Sequence, residues 1–169
     1  MNPNPYGIPE MPELDDLASL VNNLDRESLA GTTEDIYRSQ PLFRSVFARF
    51  AAVFTPEEWD DINILFNIAW VGVMYSRGPG NTREVTQAEY QRIVDKNTAM
   101  FRYCEGEPTI EDGMMIVLEQ VQGIKSMVAL PMLVYFMMSS PALGRMREKQ
   151  RIWILIALIS FLESLDAGS

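Results

Sequence analysis

The segment Arg145–Leu165 reads RMREKQRIWILIALISFLESL. From Ile152 to Leu162 nothing is charged, and Ser160 is the one hydroxylic residue. Wound as a helix, that run is apolar on every side, and a helix without a polar face is surrounded by other helices or by lipid. At about 1.5 Å per residue it covers roughly 16 Å, against about 30 Å for a bilayer core. Its length selects other helices. The segment therefore predicts the central helix of a soluble bundle, entered through a basic, solvated first turn from Arg145.

The totals agree with that reading. With 169 residues the chain fits one domain, large enough to bury a core without disulfides or metals. Hydrophobic residues make up 47% and charged residues 22%, as in an ordinary globular domain. The net charge of −9 disfavours general nucleic-acid binding, which requires a surplus of Lys and Arg, and leaves basic partners open. Cys104 stands alone, so no intrachain disulfide forms and a reducing, cytoplasmic setting is expected. The opening MNPNPYGIPEMPELDD has neither a basic nor an apolar block of the secretory kind.

Histidine is absent, and this excludes more chemistry than any other count. Ser-His-Asp and Cys-His nucleophilic sites need an imidazole base. Zinc sites of the HExxH type and Glu-x-x-His di-iron bundles need imidazole ligands. Catalysis would have to rest on carboxylates, Lys, Tyr or bound Mg²⁺, so a non-enzymatic role is favoured and no cofactor is expected.

Residues 1–12 carry Pro3, Pro5, Pro9 and Pro12, which predict an extended arm ahead of a single α-helical domain over 13–169. Leu14, Leu17, Ala18, Val21 and Leu24 then recur at helical spacing. Gly31-Thr32-Thr33 predicts a break, with Thr33 capping a new helix and Pro41 bending or restarting it. Leu42, Phe43, Val46, Phe47, Phe50, Ala51 and Phe54 form a dense core stripe, with Arg44 and Arg49 off it.

Thr55-Pro56-Glu57-Glu58 is a capping box with proline at the first helical position. The helix it opens leaves Asp60, Asn63 and Asn67 as a narrow polar line and ends at Arg77-Gly78-Pro79-Gly80. Thr86-Gln87-Ala88-Glu89 is a second capping box, with Tyr90, Ile93, Val94, Asn97, Phe101 and Cys104 on one face behind it. Pro131 interrupts a further apolar helix, and Ser139-Ser140-Pro141 restarts the chain. With no sustained alternation, the pattern is all-α: a bundle of about six to seven helices.

Four features are candidate sites. Glu57, Glu58 and Asp61 near one helix start, and Glu163 and Asp166 near the chain's end, offer two carboxylate pairs at i, i+3. Facing each other, they would hold Mg²⁺ as all-α nucleotide pyrophosphohydrolases do, while capping and solvation explain the same residues. Arg145, Arg147, Lys149 and Arg151 concentrate positive charge in an acidic chain and are candidates for an acidic partner. Tyr6 and Ile8 are the docking side chains of the arm. The eleven methionines fit a core filler and an adaptable binding surface equally well.

A membrane hairpin is the third alternative, because Ser126–Gly144 is uncharged and the basic run would follow it as a cytoplasmic loop. Pro131, Pro141 and the short second segment argue against it. The favoured reading is a helical protein that binds a protein partner or its own copies. On it, Trp70 and Trp153 both belong to the core.

Overall fold

The computed structural model describes residues 25–78, 80, 82–104 and 140–166. The Pro-rich arm, with Tyr6 and Ile8, the helix expected after Pro12 and the stretch around Pro131 lie outside the described residues.

Asp25 has extended backbone, and its side chain accepts from the Ser28 N–H at 2.8 Å, which starts α1 (Arg26–Ser39). The helix runs straight through Gly31-Thr32-Thr33, so the expected break there is corrected. A helical glycine costs only about 1 kcal/mol, which the burial of Ile36 and the rest of the α1 face outweighs. Thr32 and Thr33 donate back to the Ser28 and Leu29 carbonyls at 2.9 and 3.1 Å instead of capping a new start.

Gln40 leaves the helix because Pro41 follows it, and Pro41 adopts helical angles from which α2 (Leu42–Val53) grows. The Gln40 side chain is fully buried. Its amide donates to the Arg83 carbonyl at 2.9 Å, and its oxygen accepts from the Val85 N–H at 2.8 Å. One side chain thus fastens the α1–α2 corner to the segment that leads into α4.

Both expected capping boxes form. Thr55 Oγ1 accepts from the Glu58 N–H while Glu58 accepts from the Thr55 N–H, opening α3 (Pro56–Arg77). Thr86 and Glu89 repeat the reciprocal pair at the start of α4 (Gln87–Cys104). Between them Gly78 and Gly80 take φ of 80° and 82°, backbone that a side-chain-bearing residue rarely adopts.

Ser140 caps the one-turn α5 (Pro141–Gly144), after which Met146 tucks into the core and α6 (Glu148–Asp166) begins. The last helix therefore starts three residues later than the basic run suggested. All described elements are helices, and the fold is all-α.

α6 is the axis. From Ile154 to Leu165 every residue but Glu163 is buried. Phe161 meets Phe43 of α2 edge-on at 4.6 Å and Phe66 of α3 at 5.4 Å, with Trp70 at 6.4 Å. Phe43 sits on Phe161 while Phe50 sits on Trp153, so α2 runs antiparallel to α6. α3 runs parallel to α6: Glu57 pairs with Arg145 at one end, and Arg77 pairs with Asp166 at the other.

The polar line on α3 points inward. Asn67 is fully buried and bonds Thr33 of α1 and the Asn63 carbonyl. α4 carries its own buried amide, Asn97, which donates to Ser160 and Glu163 of α6. Trp70 is core as expected, at 4% exposure. Trp153 is not: it lies 41% exposed, because no described helix covers that side of α6.

Candidate functional site: an open groove between α2, α4 and α6

Three helical stripes meet along the side of α6 that carries Trp153. α6 contributes Lys149, Ile152, Trp153 and Ile156, spaced i, i+3, i+4, i+7 and therefore on one face. α4 contributes Gln87, Tyr90, Gln91 and Val94, continued by Thr98, Phe101 and Arg102 along the same line. α2 closes one end with Leu42, Ser45, Val46, Arg49 and Phe50.

The stripes enclose a shallow cavity of about 200 Å³ at the α2 end. A second, of about 320 Å³, lies between α4 and α6 alone. Ile156 lines both, so they are parts of one groove.

Trp153 is the largest side chain on the groove wall. Its ring stacks on Phe50 at 4.9 Å and Phe54 at 5.5 Å, which fixes its orientation from one side and leaves the other face to solvent. Val53, 60% exposed, extends the apolar surface past the end of α2. Tyr90 forms part of the floor, and burial pushes its phenol well above the usual range, so the hydroxyl stays protonated at neutral pH.

The charges on the groove have one sign. Arg49, Arg102 and Lys149 line it, all exposed, and no carboxylate does so among the described residues. The five ion pairs among the described residues use Arg38, Arg77, Arg83, Lys96 and Arg145, and none uses these three cations. In a chain with 23 acidic and 14 basic residues, an all-cationic rim departs from the overall balance.

The carboxylates singled out from the sequence are not brought together. Glu58 is held in the capping box, Glu57 pairs with Arg145, and Asp61 accepts from Ser140. Glu163 pairs with Lys96, and Asp166 with Arg77. The first three stand at the start of α3 and the last two at the end of α6. The rise along α3 from Glu57 to Arg77 is roughly 30 Å, far beyond the reach of one ion. Among the described residues no group of three or more acidic or sulfur side chains is placed to hold a metal.

Of the basic run, Lys149 alone reaches the groove; Arg145 is engaged by Glu57 at 3.4 Å, and Arg147 and Arg151 lie off the lining. Sequence reasoning missed Arg49, Arg102 and the exposure of Trp153. The available signal was Lys149, Ile152, Trp153 and Ile156, a stripe whose leading residue is charged on a helix otherwise lacking a polar face. Among the described residues no helix is long and apolar enough to cross a membrane. Comparison with protein-family models, with curated proteins and with solved structures finds no match to this chain.

Proposed function

We propose that this chain is a non-enzymatic, cytoplasmic binding or assembly protein, and that the α2–α4–α6 groove is where its protein partner docks. The observation that carries the reading is the half-exposed, pre-oriented Trp153 in an apolar groove. An immobilised aromatic anchor beside apolar neighbours is the composition of interface hot spots, because little side-chain entropy remains to be lost on binding. The lone Cys104 and the lack of histidine support the setting and the absence of imidazole chemistry, respectively.

Affinity capture from native-host lysate tests it, with the wild-type chain and Trp153→Ala as parallel baits and mass spectrometry as readout. The expected result is a protein retained by the wild type and lost by the variant while the helical circular-dichroism signal is unchanged. Identical captures by both baits would remove the groove from the function.

A further inference from the structure

Resting on the protein-binding reading above, we infer that the groove takes one helix of a partner protein, apolar on one face and acidic along its flanks. Length, shape and charge point to the same occupant. The α4 lining residues run from Gln87 to Arg102, a rise of about 22 Å, which matches roughly four turns of a docked helix. The floor is a trough between two helices, the geometry that receives an amphipathic helix through anchors at i, i+3, i+4 and i+7.

The rim decides the sign. Arg49 stands at the α2 end and Arg102 and Lys149 at the other, so both ends of the trough are positive. None of the three is used by an ion pair among the described residues, and no described carboxylate competes for them on the lining. A helix with Asp or Glu on its flanks would meet all three, whereas a basic helix would meet repulsion at both ends.

A single nucleic-acid strand shares the need for cations and an exposed ring. It stacks successive bases on successive aromatic side chains, and Trp153 is the one large aromatic residue exposed on the lining. The net charge of −9 also opposes a polyanion.

The test uses the full chain and a labelled synthetic peptide of about 18 residues with Leu at i, i+3, i+4 and i+7 and Glu on the flanks. Its companions are the same peptide with Lys for Glu, a scrambled Leu/Glu peptide, and a single-stranded oligothymidylate. Fluorescence anisotropy at low and high salt reads the binding. The acidic amphipathic peptide is expected to saturate, at least about tenfold tighter than either companion peptide, and to weaken at high salt.

The combined variant R49E/R102E/K149E, whose positions are all exposed, is expected to keep its melting profile and to reverse the preference toward the Lys peptide. No saturable binding of the acidic peptide, equal binding of the scrambled one, tighter binding of the oligonucleotide, or indifference to the charge reversal would each overturn the inference. If the peptide fails while Trp153→Ala still loses a captured protein, the acidic-helix inference falls and the binding reading stands. If both fail, both fall.

Discussion

Two groups of aromatic rings bridge α2 and α6, and they differ in what closes them. At one end Phe43, Phe47 and Phe161 join Phe66 of α3, all fully buried, with rings meeting edge-on or tilted. At the other, Phe50, Phe54 and Trp153 lie nearly flat on one another, at 11° to 30°, and the outermost ring faces water. Phe50 touches Phe66 at 5.8 Å, so the groups are continuous. The same stripe of Phe on α2 feeds both. Whether an aromatic residue becomes core or surface is decided by the third helix: α3 and Tyr90 of α4 cap the first group, and no described helix caps the second.

That contrast gives measurable differences. Phe161→Ala removes the ring on which α2, α3 and α4 converge, and it should cost about 3–5 kcal/mol in urea unfolding, enough to leave a small domain marginal. Trp153→Ala removes a larger side chain yet should cost less, about 1–2 kcal/mol, because much of its surface is already in water. Equal costs would erase the distinction between the two groups.

Thr55→Ala probes the joint just past Phe54. It removes the acceptor for the Glu58 N–H and should cost about 1 kcal/mol, lowering the thermal midpoint without altering the residual fold. If Trp153 stacking depends on the α2–α3 corner, its fluorescence will shift in this variant as well.

The smallest effect is a pH dependence at the start of α4, beside the groove. The Arg83 guanidinium and the Thr86 N–H and hydroxyl hold the Glu89 carboxyl down at about 2, against its ordinary 4.5. A depressed carboxylate contributes above its unfolded pKa and loses that contribution as pH falls through its folded one. Glu89→Gln should therefore be less stable than the wild type at neutral pH, with the gap closing between pH 4.5 and about 2. A gap independent of pH would assign the loss to the altered cap, not the charge.

Much of the described architecture could be read from single residues. Thr55 with Glu58, Thr86 with Glu89, Pro41, and the uncharged run of α6 each act locally, so their outcome does not depend on distant packing. Gly31 misled because a weak local preference yields to tertiary burial, here that of Ile36. Trp153 misled for the complementary reason. Periodicity identifies which side chains are apolar but not whether another helix arrives to cover them. The groove was illegible for the same cause: its three stripes come from segments about forty to sixty residues apart, and only their juxtaposition gathers Arg49, Arg102 and Lys149. The acidic pairs had the right spacing within each helix, but the parallel arrangement of α3 and α6 sets them at opposite ends.

The central claim is that the open aromatic end is a partner surface. Replacing Trp153 with a benzophenone-bearing photo-crosslinking residue in native-host cells tests it most directly, with the same residue at Arg92, exposed on α4 away from the groove, as control. The account predicts covalent adducts to a defined protein from position 153 and none from position 92. Adducts equally frequent from both positions, or none from position 153, would contradict it.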